Sequence, residues 1–312
     1  MKINFEKIFE DLEQTIRNNQ RRVEGKYPLK VYYGINSEGM YRLAFLSSIE
    51  PPRIESTKLL KMVQGRESSS VYWTCFDLVT DNAKKVFYSF CSDLIGCIKD
   101  VNNEREALLK LKDRFHIWRN MFRKSGSNLT DEKTKGLFGE LYFLHSYLIP
   151  KYGYDKSINS WSGPENTSKD FSTDSNWFEV KTISSTQYSV KISSISQLSS
   201  ALEGHLVVYK IEKMSEEFNN GMSSIEQLIS AIFEQIESEE VRERFISKLE
   251  DYGYSTEDEA TKLKFEVKQA YNYYVNDKFP RLLETDIKYQ EISKLTYELF
   301  LNTLEKFKGD LF

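Results

Sequence analysis

The stretch at residues 177–182, WFEVKT, limits the folds open to this chain more than any other part of the sequence. Its large apolar residues are typical of a buried β-strand, yet Glu179 and Lys181 introduce two opposite charges. Side chains alternate across a strand, so this acid and this base share one face. Since charged groups are rarely buried without a partner, the pattern predicts a strand with a chemical role.

Two further acids precede this strand. Residues 173–176, TDSN, are good turn formers, and a hairpin there would bring Asp170 beside Glu179. In the preceding helical stretch, GLFGELYFLHSYL, the leucines form an apolar stripe. At about 100° per residue, Glu140 lies roughly 70° from the centre of that stripe, in the half that faces the core. The sequence therefore predicts that three carboxylates and Lys181 converge.

Such a cluster is unfavourable by itself, because nearby carboxylates raise one another's pKa and burial adds to the effect. A hard divalent cation resolves the conflict, since carboxylate oxygens are the ligands that Mg²⁺ prefers. We expect Mg²⁺, with Mn²⁺ as a substitute, to be held by Glu140, Asp170 and Glu179 and to act on a phosphodiester. Lys181 would orient or deprotonate a water or balance the charge of the transition state.

Each residue also has a simpler explanation when it is taken alone. An acid and a lysine two positions apart on a strand are explained by an exposed ion pair of negligible energetic consequence. Asp170 is explained as a turn residue, and Glu140 as a charge on the flank of a helix. Trp161 and Pro164 are explained by the shape of the loop that contains them. Only the combination favours the metal site.

The segments GLFGELYFL, WSGP, KDF and FEVKT, in this order, resemble the PD-(D/E)XK nuclease superfamily. More narrowly, they are similar to a bacterial group of PD-(D/E)XK motif proteins linked with restriction and defence systems. The resemblance is strongest over residues 134–210. The later segments VNDKFPRLLETDI and YEL extend it towards the C-terminal end of the sequence.

The resemblance implies a role for each acid. Asp170 matches the motif aspartate, Glu179 the second acid and Lys181 the lysine, while Glu140 matches a helix-borne acid that many members add. The proline that gives the motif its first letter is replaced by Lys169.

One more position has weaker support from the resemblance. Gln197 falls where some relatives have a supporting glutamine, although Ala201 replaces the tyrosine that follows it there.

The implied function is that of a Mg²⁺-dependent endonuclease that hydrolyses DNA phosphodiester bonds in a restriction-like bacterial defence system. Two alternatives stay open: a catalytically silent DNA-binding or assembly subunit of such a system, and an RNA-directed nuclease. The expected partners are DNA and proteins of a restriction-modification or defence operon. A homodimer is expected as well, because cutting both strands with one site per chain requires two copies.

Net charge and the spacing of residues argue against several other classes of protein. The 312 residues have a net charge of −4, which argues against a surface that binds nucleic acid all over. Three scattered histidines and three cysteines lack the spacing of a zinc site or a histidine triad. No run approaches the roughly 20 apolar residues of a membrane span, so we expect a cytoplasmic protein without a membrane partner.

The pattern of elements predicts an α/β fold with two modules. Residues 1–125 form an N-terminal α/β module for recognition or assembly, with helices at 82–99 and 103–124. A linker at 125–128 marks the boundary with a nuclease-like domain at 126–312, which has a restriction-endonuclease-like core with a mixed central sheet flanked by helices. A helical insertion is expected at about 222–252.

Local signals refine the second module. Thr130 is expected to cap the helix that contains Glu140, Pro150 to end that helix, and a short helix to form around 194–203.

Overall fold

The computed structural model describes residues 5–13, 19–57, 59–68, 70–119, 129–165, 167–200, 202–218, 220–255, 262–289 and 291–310. The chain divides into two compact units. The first comprises Met1–Asn128 and Ile229–Asp258, and the second comprises Leu129–Leu228 and Glu259–Phe312. The expected linker at 125–128 and the last residues of the helix expected at 103–124 lie outside the described residues. The roles of the two predicted modules stay predictions.

Both units combine strands with helices. In chain order, the strands are β1 (Asn19–Arg22), β2 (Lys30–Ile35), β3 (Tyr41–Ser47), β4 (Leu60–Ser68), β5 (Val71–Leu78), β6 (Phe171–Ser172), β7 (Trp177–Ser184), β8 (Ser189–Ile192), β9 (Gly204–Met214), β10 (Lys264–Val275) and β11 (Tyr297–Phe300). The helices are α1 (Phe5–Glu13), α2 (Lys84–Cys97), α3 (Glu104–Arg119), α4 (Asp131–Phe143), α5 (Ile149–Tyr152), α6 (Tyr154–Ser160), α7 (Ile225–Gln235) and α8 (Glu239–Tyr252).

The first unit is built on an antiparallel five-stranded sheet in the order β1-β2-β3-β5-β4. Aromatic side chains fill its core: the ring of Phe9 from α1 stacks on Tyr41 at 4.6 Å and on Tyr88 of α2 at 5.6 Å. Phe5, Phe9 and Leu12, spaced for one face of a helix, are all buried, so the apolar face of α1 lies against the core.

A buried carboxylate joins three helices of the first unit. Asp93 of α2 accepts a 2.7 Å hydrogen bond from Nε1 of Trp118 in α3. It also lies 3.4 Å from Arg114 and 3.3 Å from Arg242 of α8. Because a buried carboxylate requires such partners, this cluster fixes α8 to the helices that precede it in the sequence.

The second unit contains a mixed four-stranded sheet in the order β10-β9-β7-β6. Strands β7 and β9 are parallel, and the other pairs are antiparallel. Helix α4 lies against one face of β7, where a Cβ on Gly139 would come within 2.1 Å of the Thr182 hydroxyl. The small residue lets helix and strand approach closely.

An apolar core covers the other face of this sheet. Strands β8 and β11 form a two-stranded sheet, and their side chains pack with Trp177 of β7, Leu206 of β9 and Tyr273 of β10. The architecture confirms the prediction of an α/β protein with a mixed central sheet flanked by helices, preceded by a sheet and helices in the N-terminal part.

Two local predictions are wrong. The helix does not end at Pro150, because α4 continues through a π-helical segment, Leu144–Leu148, into α5, which has Pro150 in its first turn. Proline is tolerated there, since the first turn of a helix does not need its N–H. The short helix expected around 194–203 is a single 3₁₀ turn, Ile195–Gln197.

Candidate active site

A hairpin sets the positions of Asp170 and Glu179. Strand β6 pairs antiparallel with the start of β7. The turn between them is closed by a 2.8 Å hydrogen bond from the Thr173 N–H to the Asn176 carbonyl. The hairpin forms where the TDSN sequence predicts a turn, and Asp170 directly precedes its first strand.

Glu179 is the most enclosed carboxylate of the group. Its side chain is only 1% exposed, and its Oε1 lies 2.8 Å from Nζ of Lys181. Its Oε2 is buried and receives no hydrogen bond from the described residues. Burial, and then the neighbouring charge of Asp170, raise the pKa of Glu179 to about 8.

Asp170 is held by the backbone of the strand beside it. Its Oδ2 accepts a 2.7 Å hydrogen bond from the N–H of Val180. Burial raises the pKa of Asp170, while Lys181 and this hydrogen bond oppose the shift. The bond fixes one carboxylate oxygen and orients the other, Oδ1, towards the loop at Gly163, where a Cβ would lie 3.4 Å from it.

Glu140 reaches the same place from α4. Thr130 caps this helix by accepting a hydrogen bond from the Lys133 N–H, as predicted. Glu140 is 5% exposed, and its Oε2 accepts a 2.7 Å hydrogen bond from Nε1 of the buried Trp161. A Cβ on Gly163 would lie 2.6 Å from that oxygen. Glu140 and Asp170 therefore face a common point beside Gly163.

Lys181 interacts electrostatically with all three carboxylates. Burial lowers its pKa, but Glu179, Asp170 and Glu140 outweigh burial and leave the pKa above its ordinary value. Its amine is therefore an ammonium at neutral pH. This charge state suits the stabilisation of negative charge on a substrate better than the removal of a proton from water.

Lys169, which stands in place of the motif proline, is a second buried cation. Its Nζ lies 4.1 Å from the ring centre of Trp177. It donates hydrogen bonds to three backbone carbonyls, those of Ser196, Gln197 and Ser199. Burial lowers the pKa of Lys169 to about 8. We call this lysine with its three carbonyls the Lys169 clamp.

The carbonyl of Leu198, which lies between two carbonyls of the Lys169 clamp, accepts a hydrogen bond from a different cation. Nη1 of Arg281 donates a 2.8 Å hydrogen bond to the carbonyl of Leu198. Four consecutive carbonyls, those of residues 196–199, thus accept from two cations, and the segment is fixed beside Asp170.

Gln197 does not join the carboxylates through its side chain. Its Oε1 accepts a 2.7 Å hydrogen bond from the Ser193 N–H, and its backbone carbonyl belongs to the Lys169 clamp. The structure thus brings Glu140, Asp170, Glu179 and Lys181 together and gives Gln197 a place in the adjoining segment.

The donor set fits a divalent cation that is completed by other ligands. No group of three or more His, Cys, Asp or Glu side chains among the described residues is arranged to hold a metal ion by itself. Mg²⁺ commonly binds through one or two carboxylates and takes its remaining oxygens from water and substrate phosphates. The buried Oε2 of Glu179, which has no hydrogen-bond partner among the described residues, and the neighbouring carboxylate of Asp170 offer such oxygens.

Two residues beside the acids have no functional signature of their own in the sequence. Trp161 positions Glu140, and Gly163 leaves the space in front of Glu140 and Asp170 open. Trp161 and Gly163 both belong to the WSGP segment. This segment indicates that they lie near the site, but it does not indicate which residues they contact.

Comparisons with known proteins agree with this architecture. Residues 5–302 match the model of family DUF4420, whose description reads "Putative PD-(D/E)XK family member". No curated protein and no solved structure matches the chain. No helix in the described part of the chain is long and apolar enough to cross a membrane. The mixed sheet flanked by helices is compatible with a nuclease-like fold, and the chain belongs to the PD-(D/E)XK family DUF4420.

Proposed function

We propose that the protein is a Mg²⁺-dependent endonuclease that hydrolyses DNA phosphodiester bonds. The observation that carries this proposal is the meeting of Glu140, Asp170 and Glu179 around the ammonium of Lys181. Burial and mutual repulsion raise the pKa of Glu179 and burial raises that of Asp170, so these acids resist ionising together until a cation balances them.

The residues take distinct roles in this proposal. Asp170 and Glu179 hold the divalent cation, and Glu140, oriented by Trp161, adds a third carboxylate to its surroundings. When bound, such a cation polarises the phosphodiester and lowers the pKa of a bound water. Lys181 remains protonated and stabilises the negative charge that develops on the phosphate oxygens.

Two parts of the proposal rest on the resemblance of the motifs. The choice of DNA as substrate and the place in a restriction-like defence system follow the group that the sequence resembles. Partner proteins of such a system and a homodimer that cuts both strands belong to the same proposal.

Cleavage of nucleic acid tests the proposal. Supercoiled plasmid, linear DNA and a matched RNA are incubated with the protein and Mg²⁺ or Mn²⁺, and with EDTA as control. We expect nicking or linearisation of DNA that EDTA abolishes and that Lys181→Met reduces strongly. Preferential loss of the RNA would instead support an RNA-directed nuclease, because acids and a lysine that act on a phosphodiester do not distinguish the two sugars.

A silent DNA-binding or assembly subunit is the second candidate. It is favoured by the ion pair between Lys181 and Glu179, which neutralises one carboxylate, and by the lack of a ready three-ligand metal group among the described residues. Such a subunit would bind DNA equally well with EDTA and with Mg²⁺ and would leave every substrate intact.

A further inference from the structure

A cavity of about 610 Å³ lies in the second unit at the end of the mixed sheet. Its lining includes Asn176 before β7, Gly204 at the start of β9 and Val275 at the end of β10, but none of the carboxylates of the candidate site. The volume falls within the range of pockets that bind small organic groups.

A row of aromatic rings crosses the sheet into this cavity. Phe178 of β7, His205 of β9 and Tyr274 of β10 are register partners on neighbouring strands. Their ring centres are 4.9 Å apart from Phe178 to His205 and 5.0 Å apart from His205 to Tyr274. The row ends on the edge strand, where Tyr274 is 46% exposed. A half-exposed ring at the end of such a row is a platform for another flat ring.

Hydrogen bonds fix the middle of the row. Asn272 is buried and donates through Nδ2 to the carbonyl of Asp310. Its Oδ1 therefore faces Nδ1 of His205, at 2.9 Å, and accepts the proton of that nitrogen. The imidazole is held in one orientation and one tautomer, so this part of the lining is rigid.

The other lining groups favour a neutral polar ligand. Lys151 and Lys306 are balanced by Glu203 and Asp310, so the cavity offers no excess positive charge for a phosphate. The amide of Asn276 contributes a hydrogen-bonding group without charge. A flat, neutral heterocycle with hydrogen-bonding edges matches both the rings and the amides.

We propose that this cavity binds a nucleobase that is unstacked from its neighbours, with Tyr274 as the stacking surface. Aromatic side chains stack on bases of any sequence, and asparagine amides recognise base edges. The inference rests on the proposed function in one respect, the assignment of the base to a nucleic acid rather than to a free nucleoside.

Binding measured without divalent metal tests this inference separately from cleavage. The full chain is titrated by calorimetry with a single-stranded oligonucleotide, with an abasic oligonucleotide of the same length, and with free adenosine and cytidine, all in EDTA. We expect the abasic chain to bind more weakly. Tyr274→Ala should weaken binding of the base-containing oligonucleotide by about 5- to 150-fold, the effect of removing one stacking ring.

Two variants act as controls. Tyr274→Phe keeps the ring and should bind like the wild type. Tyr289→Ala removes another exposed tyrosine of the same unit, 68% exposed and outside the cavity lining, and should also bind like the wild type.

The remaining outcomes either overturn the inference or separate it from the proposed function. Equal binding of abasic and base-containing oligonucleotides by the wild type would refute it even if Tyr274→Ala does not fold. Free nucleosides that bind as tightly as the oligonucleotide would refute the assignment to a nucleic acid. Base-dependent binding by a protein that cleaves nothing would support this inference while the proposed function fails, and cleavage without base-dependent binding would do the reverse.

Discussion

The indole nitrogen of Trp161 donates a 2.7 Å hydrogen bond to Oε2 of Glu140, and both side chains are buried. The bond joins the loop after α6 to the helix that contains the acid. It fixes the carboxylate of Glu140 in the orientation in which it faces Asp170 across Gly163. The alignment of this acid therefore depends on Trp161, which is not one of the acids or Lys181.

Replacement of Trp161 by phenylalanine should loosen Glu140 while keeping most of the buried ring. We expect Mn²⁺ affinity and metal-dependent cleavage to fall by about 10- to 100-fold, the usual effect of removing a group that orients a metal ligand. Trp73→Phe is the matched control, because Trp73 Nε1 donates to Glu67 at the same 2.7 Å but in the first unit. Equal losses of Mn²⁺ affinity and cleavage in Trp161→Phe and Trp73→Phe would contradict the role of Trp161 in positioning Glu140.

An alanine at Gly163 should fill the space between two acids. Its Cβ would lie 2.6 Å from Glu140 Oε2, so the flexible end of Glu140 has to move and leave Trp161. We expect overpacking to lower the free energy of unfolding by about 1–3 kcal/mol. The free energy of Mn²⁺ binding should decrease by more than that.

Calorimetry and thermal unfolding measure the two effects of Gly163→Ala. Gly65→Ala is the control, since a Cβ there meets nothing within 4 Å. Unchanged Mn²⁺ affinity in Gly163→Ala would mean that no cation occupies this space.

Replacement of Lys169 by methionine should release the segment at residues 196–199. The change keeps the length of the side chain but leaves the three carbonyls of the Lys169 clamp without their donor. We expect faster amide hydrogen exchange in a peptide covering residues 193–200, and about 1.5–3 kcal/mol of lost stability. Lys191→Met, at an exposed position of β8, should change neither. Unchanged exchange in Lys169→Met would show that the clamp does not hold the segment.

Acidification should destabilise the protein through His205. Burial lowers the pKa of His205 below its ordinary value, with a further contribution from Lys151, although Asn272 and Glu203 oppose the shift. The unfolded chain then binds the proton more readily, so this contribution to stability is lost as the pH falls through and below about 6.5. The free energy of unfolding, measured in urea at pH 7.5 and at pH 5.5, should fall less between the two pH values in His205→Gln than in the wild type. An equal fall in the free energy of unfolding in both proteins would show that His205 does not cause the destabilisation by acid.

Much of the candidate site could be predicted from local patterns. Alternation along one strand places Glu179 and Lys181 on the same face, a turn-forming sequence brings Asp170 to that strand, and helical geometry turns Glu140 towards the core. Each of these inferences needs only the period of one element or the chemistry of one turn.

The remaining features depend on distant parts of the chain. The Lys169 clamp requires carbonyls from about 30 residues further along the sequence. The ring row of Phe178, His205 and Tyr274 exists only because β9 pairs with both β7 and β10 in a particular register. Neither the register of a parallel pair nor the path of a loop follows from local periodicity.

The most direct test of the central claim is a Mn²⁺ titration, with free Mn²⁺ followed by electron paramagnetic resonance, of the wild type, Asp170→Asn and Asp174→Asn. Asp174 lies in the turn between β6 and β7, so its variant controls for the loss of one charge nearby. We predict a saturable site in the wild type and in Asp174→Asn, and at least tenfold weaker binding in Asp170→Asn. Absence of a saturable site in the wild type, or equal affinity in all three proteins, would contradict a cation site built on Asp170 and Glu179.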